Sequence, residues 1–185
     1  MKKTITLACA LFMSLTLQAM EVAGVSIPQT LTLETETLEL NGAGIRKKFF
    51  MDLYVGSLYV ESKTNNVDAI INSKTPVAIQ LDIISGMITS KRMVDTVNEG
   101  FETATSGNMD TLQSRLDDFI KVFNEEIMKG DRFLMKVTPG KGLDAYKNNK
   151  HLATVEGDDF AKTLLSIWLG EKPADNGLKK SMLAN

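Results

Sequence analysis

The segment from Phe49 to Val60 constrains the fold more than any other part of this sequence. It is apolar and aromatic apart from the single charge of Asp52. A run of this kind is typical of a strand that is buried on both faces, or nearly so. Gly56 within the run indicates a bend or a site of close packing. The chain is therefore expected to build a sheet with other structure packed against it.

Further strands are predicted on either side of this segment, because apolar and polar residues alternate with the period of two that strands show. Val22 to Ile27 is the first of them and ends at Pro28. The apolar phase then shifts within LTLETETLEL, which predicts a bulge or a short hairpin there. The later strands are a half-buried one at Pro76 to Ile84, and then Arg132 to Thr138, Leu143 to Lys147 and Leu152 to Val155, with turns at Pro139-Gly140 and Asn148-Asn149.

Two consecutive amphipathic helices interrupt the strands, because the apolar period changes to 3.6 residues from Thr89 onward. The second helix carries an apolar stripe from Leu112 to Ile127. Asp158 is the predicted N-cap of a third helix, and short helices are expected at Val67 to Asn72 and Leu178 to Leu183. Strands and helices in this order predict an α+β fold with a long antiparallel sheet covered by a layer of helices.

The first nineteen residues have the composition of a secretory signal peptide. Lys2 and Lys3 precede a short apolar core, which ends at Ala19, and the segment is too short to span a membrane. Cleavage after Ala19 would leave residues 20–185 as a single domain without cysteine, since Cys9 is removed. We therefore expect a periplasmic or secreted protein without disulfides and without a membrane span.

Composition argues against several classes of function. The 166 residues after Ala19 would carry 19 basic and 23 acidic residues, a formal charge of −4, so no nucleic-acid partner is expected. His151 is the single histidine, and its position next to Asn148-Asn149 indicates the surface of a hairpin. No metal site and no cofactor is predicted, because adjacent acidic pairs such as Asp117-Asp118 do not converge as ligands.

The stretch LNGAGIRKKFF, Leu40 to Phe50, is the strongest candidate for a functional motif. Two glycines separated by one residue are interpreted as a turn between two strands. Such a turn could simply carry three solvated charges, at Arg46, Lys47 and Lys48. Alternatively, strand alternation places Arg46 and Lys48 on one face and Lys47 on the other, so at least one of these charges is expected to point toward the covered side of the sheet. A buried guanidinium would then require an acceptor, either an internal carboxylate or an anionic ligand.

These residues resemble the signature of the chalcone isomerase-like family. The resemblance rests on Gly42-Ala43-Gly44-Ile45-Arg46, Lys48-Phe49 and Tyr54-Val55-Gly56-Ser57-Leu58-Tyr59, and on the similarity of Phe160 to Glu171 to the family's C-terminal helices. It implies an open-faced β-sandwich, in which a long antiparallel sheet is covered by helices with a cleft between them. In the plant enzymes of the family, the arginine steadies an anionic phenolate during an intramolecular ring closure.

The resemblance also implies which positions surround the arginine. Alignment by eye places Leu53 at the family's strand threonine, Thr89 near its tyrosine, Thr96 near its asparagine and Ile167 at its last threonine. The expected site is thus more apolar than that of the enzymes. It is similar to family members that bind fatty acids and use the arginine as a carboxylate anchor.

The leading hypothesis is a binding protein for a fatty-acid-like or other hydrophobic anion. The candidate ligand-binding residues are Arg46, Lys48, Tyr54, Phe50, Leu53 and Trp168. Phe50, Leu53 and Trp168 are expected to line an apolar tunnel. One alternative is an isomerase of the intramolecular lyase class acting on a chalcone-like phenol, for which catalytic residues besides the arginine are unknown. Another is a non-catalytic accessory protein that binds a partner.

Overall fold

The computed structural model describes residues 19–33 and 35–183. The predicted signal peptide therefore lies outside the described residues, except for Ala19. Within these residues the strands are β1 (Met20–Val22), β2 (Val25–Ile27), β3 (Thr30–Leu33), β4 (Glu36–Lys48), β5 (Met51–Val60), β6 (Val77–Ile83), β7 (Arg132–Thr138), β8 (Gly142–Lys147) and β9 (Lys150–Glu156). The helices are α1 (Val67–Ile71), α2 (Ser90–Thr105), α3 (Gln113–Phe119), α4 (Asp158–Leu169) and α5 (Asn176–Met182), with a 3₁₀ turn at Ile120–Phe123.

Strands β3 to β9 form one curled antiparallel sheet in which every strand pairs with its neighbour in the sequence. The helices pack on one face of the sheet, around a core that includes Leu58, Phe101 and Phe160. Hairpin β1–β2 contributes Ile27 to a second, smaller core on the opposite face, with Tyr59. The predicted α+β class and the helical layer over a long antiparallel sheet are confirmed. None of the helices in the described ranges is long and apolar enough to cross a bilayer.

The prediction that Gly42 and Gly44 form a turn between two strands is wrong, because both lie inside β4. The glycines instead provide room for α5. A Cβ atom on Gly42 would lie 2.3 Å from the Ser181 carbonyl oxygen, and one on Gly44 would lie 2.4 Å from the Ser181 Cβ. Gly56 on β5 is close-packed in the same way, as predicted, with Met182 Cε 2.7 Å from its ideal Cβ position. The turn that follows β4 is Phe49-Phe50.

Three other local predictions differ from the structure. Val22 to Ile27 is not one strand, because Ala23 and Gly24 adopt positive φ angles and turn the chain between β1 and β2. The second amphipathic helix ends at Phe119 and continues only as the 3₁₀ turn, although Ile127 is buried as its stripe required. The N-cap of α4 is Gly157, one residue earlier than predicted.

Strand β6 is buried on both faces and not half-buried as predicted. Its polar residues are covered because they satisfy one another. The Gln80 amide donates to Asp82 Oδ2 at 2.8 Å, and Arg132 Nε donates to Asp82 Oδ1 at 2.7 Å. Alternation in the sequence correctly separated the two faces of this strand, but it could not show that the polar face is internal.

Candidate functional site

Arg46 lies near the end of β4, opposite Tyr54 of β5, on the face of the sheet that carries the helices. It is only 8% exposed. Its Nε atom is buried and has no hydrogen-bond partner among the described residues, and no carboxylate in those ranges forms an ion pair with it. Because a buried charged donor without an acceptor is destabilising, the Arg46 Nε is available for an acceptor that the described residues do not supply.

Tyr54 forms the surface on which the Arg46 guanidinium rests. The guanidinium carbon lies 5.5 Å from the centroid of the Tyr54 ring, a distance typical of a cation–π contact. The Tyr54 hydroxyl accepts a 2.9 Å hydrogen bond from the indole nitrogen of Trp168 on α4. Burial raises the pKa of the Tyr54 phenol, and the neighbouring Arg46 charge and the Trp168 hydrogen bond oppose this rise. The phenol therefore remains neutral and serves as a fixed platform.

Two cavities meet at Arg46, each of about 340 Å³. Both are also lined by Lys48 from β4 and by Thr96 and Glu99 from α2. The first cavity, which we call the apolar cavity, is further lined by Phe49, Met51, Leu53, Met87, Ile88, Arg92 and Asp95. The second, which we call the polar cavity, is further lined by Lys47, Gly100, Thr103, Ile167, Lys172, Pro173 and Ala174. The buried cation Arg46 and the exposed cation Lys48 are thus shared by an apolar and a polar cavity.

The six candidate residues from the sequence fall into three groups. Arg46, Lys48 and Leu53 line the apolar cavity together. Tyr54 and Trp168 lie beneath Arg46 in the core and are not among the residues that line either cavity. Phe50 is fully exposed at the turn after β4 and lies outside both cavities. The structure therefore does not match the expected tunnel wall at Phe50 and Trp168, because one points to solvent and the other packs in the core.

Sequence reasoning missed the wall that α2 contributes. Arg92, Asp95, Thr96 and Glu99 recur at helical spacing along one side of α2. A polar stripe on an amphipathic helix usually faces solvent, so periodicity alone gave no reason to select it. The signal that could have identified this wall was the alignment with the family, which places Thr96 near a site asparagine.

Three of the four positions aligned with the family's site residues do surround Arg46. Leu53 lines the apolar cavity, Ile167 lines the polar cavity, and Thr96 lines both. Thr89 does not join them, because it is the N-cap of α2 and its hydroxyl accepts a hydrogen bond from the Arg92 backbone amide. The site keeps the arginine and is apolar at two of the aligned positions.

Other parts of the described chain offer weaker candidates. A larger cavity of about 480 Å³ lies between α1 and the C-terminal ends of α2 and α4, but its Lys179 already donates to the Gly170 carbonyl at 2.8 Å. His151 is on the surface of hairpin β8–β9, within 3.3 Å of Asp144 and 3.1 Å of Thr154. In residues 19–33 and 35–183, no group of histidine, cysteine or carboxylate side chains converges as metal ligands would.

Comparison with known proteins agrees with this geometry. The model of the chalcone isomerase-like family matches residues 19–184, and the chain belongs to that family. Among solved structures, the chain is similar to a fatty-acid binding protein of Arabidopsis thaliana, with a TM-score of 0.69 and 18% sequence identity over 88% of this chain and 93% of that one. At this identity the similarity establishes the fold. No curated protein sequence matches the chain.

Proposed function

We propose that this protein binds a fatty-acid-like or other hydrophobic anion and does so in the periplasm, after removal of the predicted signal peptide. The ligand's acidic head group is held by Arg46. Its apolar chain extends along Met51, Leu53 and Ile88 in the apolar cavity. Lys48 lies at the same cavity wall and adds a second positive charge near the head group.

The observation that carries this proposal is the buried Arg46 Nε without an acceptor, at the wall of an apolar cavity. A carboxylate placed there would accept a charge-assisted hydrogen bond, which is about twice as strong as a neutral one. The guanidinium is already buried against the Tyr54 ring, so little side-chain entropy is lost on binding. The cavity of about 340 Å³ is within the range of small-molecule sites.

The fold is consistent with this function, since a structurally similar family member is a fatty-acid binding protein. The intramolecular lyase alternative has less support. Leu53 and Ile167 occupy the positions aligned with two threonines of the plant enzymes, so two hydrogen-bond donors of that site are replaced by apolar groups. A pairing of Arg46 with an internal carboxylate would favour the accessory-protein alternative, and no such ion pair is present among the described residues.

The proposal is tested by titrating the mature protein with palmitate and with cetyl alcohol, which has the same chain length and no charge. Wild type should bind palmitate at least about tenfold more tightly, because a charge-assisted hydrogen bond is worth about 1.5–3 kcal/mol. In Arg46→Met this preference should disappear. Lys150→Gln is the matched control, because it removes an exposed cation of β9 that lines neither cavity.

Mass spectrometry of small molecules released from the purified protein would name the ligand class. An acid retained by wild type and by Lys150→Gln, but lost from Arg46→Met, agrees with the proposal. A wild type that is empty on purification and shows no affinity for palmitate would overturn it and make a chalcone ring-closure assay the next experiment.

A further inference from the structure

The turn between β4 and β5 consists of two exposed aromatic residues. Lys48 pairs with Met51 across the hairpin, which leaves Phe49 and Phe50 as a two-residue turn. Phe49 is 79% exposed and Phe50 is fully exposed. Their φ angles are 49° and 65°, both in the left-handed region. We call these two residues the aromatic tip.

Folding does not account for phenylalanine at these positions. A two-residue turn with two positive φ angles favours Asn and Gly, and bulky side chains there are strained. The same chain has a second turn with this geometry, at Asn148 and Asn149, with φ angles of 50° and 67°. That turn uses residues that suit the conformation. The two phenylalanines therefore lower the local stability of the turn, and their exposed rings bury too little surface within the described chain to offset this loss.

The aromatic tip adjoins the apolar cavity through the exposed side chain of Phe49. Phe49 and the partly exposed Met87 line this cavity together with Arg46. A ligand that enters or leaves past the tip would pass between apolar side chains that face outward. Exposed apolar residues beside a ligand cavity mark a surface that contacts something apolar.

The charges around the aromatic tip are positive on balance. Asp52 pairs with Lys47 at 3.1 Å and Asp95 pairs with Lys91 at 2.7 Å, which leaves Glu99 of the cavity wall as one acidic side chain beside the cations Arg46, Lys48 and Arg92. Lys48 and Arg92 form no ion pair within the described ranges. Lys48 lies beside the Phe49 ring, with its Nζ 6.0 Å from the ring centroid.

We propose that the aromatic tip inserts into the surface of an anionic lipid bilayer, so that the apolar cavity exchanges its ligand with the membrane. The rings enter the boundary between head groups and acyl chains, which is where aromatic side chains are favoured. Lys48 and Arg92 then face the anionic head groups. This inference rests on the proposed function, because it assigns the source of the hydrophobic anion.

The experiment is flotation of the mature protein with vesicles of phosphatidylcholine, with and without phosphatidylglycerol. Wild type should float with the anionic vesicles and much less with the neutral ones. Phe50→Gly should lower the partition into anionic vesicles by about ten- to a hundredfold, the value of burying one phenylalanine side chain. Its melting temperature should be unchanged or higher, because glycine suits this turn position.

Two controls distinguish the loss of membrane contact from an effect of the backbone change or of altered ligand affinity. Asn149→Gly makes the same backbone change in the other two-residue turn and should leave vesicle binding unaltered. Palmitate titration without vesicles should give the same affinity for wild type and Phe50→Gly, because Phe50 is outside the cavity. Failure of the wild-type protein to bind palmitate would count against the proposed function. Absence of flotation with palmitate binding intact would count against the membrane inference alone.

Three results would overturn the membrane inference. The first is a wild type that floats with neither kind of vesicle, and the second is a Phe50→Gly variant that floats as well as wild type. The third is a dimer, detected by analytical ultracentrifugation, that does not bind vesicles and that Phe50→Gly dissociates. That result would assign the aromatic tip to contact with a second copy of the chain. Equal flotation with neutral vesicles would remove the role given to Lys48 and Arg92.

Discussion

The indole nitrogen of Trp168 donates a hydrogen bond of 2.9 Å to the hydroxyl of Tyr54, so helix α4 holds the platform on which Arg46 rests. Both partners are buried. A residue of the C-terminal helical layer thus determines the position of a ring on the sheet, and through it the position of the guanidinium. Arg46 at the cavity wall comes from β4, whereas Trp168, which supports it through Tyr54, comes from the C-terminal helix α4.

Removing one partner of this hydrogen bond should destabilise the fold. Trp168→Phe leaves the Tyr54 hydroxyl buried without its donor, which costs about 1–3 kcal/mol, with a further cost for the cavity that the smaller ring leaves. Tyr54→Phe should likewise be destabilising. The double variant should lose less than the sum of the two single variants, because the unpaired groups disappear together. Urea unfolding of all four proteins measures this, and strictly additive losses would contradict it.

Arg46 should reduce the stability of the empty protein while it enables binding. Arg46→Met removes a buried cation whose Nε has no acceptor in the described chain, so the free energy of unfolding should rise by about 1 kcal/mol or more. Affinity for palmitate should fall in the same variant. Thermal and chemical unfolding of Arg46→Met without ligand, compared with wild type and with Lys150→Gln, provide the test. A clear loss of stability in Arg46→Met would show that the cation is already satisfied.

The glycines of β4 and β5 should differ in their tolerance of a side chain. Gly42→Ala places a methyl group 2.3 Å from the backbone oxygen of Ser181, which cannot move independently of α5, and should cost about 1–3 kcal/mol. Gly56→Ala meets the flexible end of Met182 at 2.7 Å and should cost less. The order of the two melting temperatures is the measurement. Equal losses would mean that α5 yields as easily as a methionine side chain.

The ion pair of Arg115 and Asp159 should make stability depend on acid pH. The Arg115 guanidinium, which forms hydrogen bonds of 2.7 and 2.6 Å to the carboxylate, lowers the pKa of Asp159 to about 2. Because the folded-state pKa lies below the ordinary value, the contribution is present above about pH 4 and is lost as the pH falls toward 2. Partial exposure limits it to about 1 kcal/mol.

Asp159→Asn tests this pH dependence. The difference in unfolding free energy between wild type and Asp159→Asn should shrink as the pH falls from about 4 to about 2. Asp110→Asn removes an exposed carboxylate outside the pair and reports the effect of net charge alone. A difference that stays constant over this range would mean that the carboxylate is not held by Arg115 in solution.

The sequence predicted the fold well where a single periodicity decides the outcome. Strand β5 and helix α2 follow directly from their apolar patterns, and the turn at Asn148-Asn149 follows from residue types that suit it. The turn at Phe49-Phe50 could not be predicted this way, because its residues disfavour the conformation they adopt. A turn was instead predicted at the glycines of β4, which in the structure allow the close approach of α5.

The site could be predicted only in part, because local sequence patterns do not show how distant elements are oriented. Arg46 and Leu53 were identified from the motif and the family resemblance, and both line the apolar cavity. The contribution of α2 depends on how the helix is oriented over the sheet, which is a long-range property that local patterns do not contain. Trp168 was expected at the wall of the tunnel, but it lies in the core and donates a hydrogen bond to Tyr54.

Asn41, just before the glycines of β4, is placed at a register shift in the pairing with β5. Its amide nitrogen donates to the Met182 carbonyl at 2.8 Å, across 141 positions of sequence, and its amide oxygen accepts from the Thr64 backbone. Contacts of such separation form late, because a long loop must close first. During synthesis, therefore, the part of β4 around Gly42 and Gly44 stays without its helical cover until α5 has left the ribosome. Until then, the ligand site has no complete support.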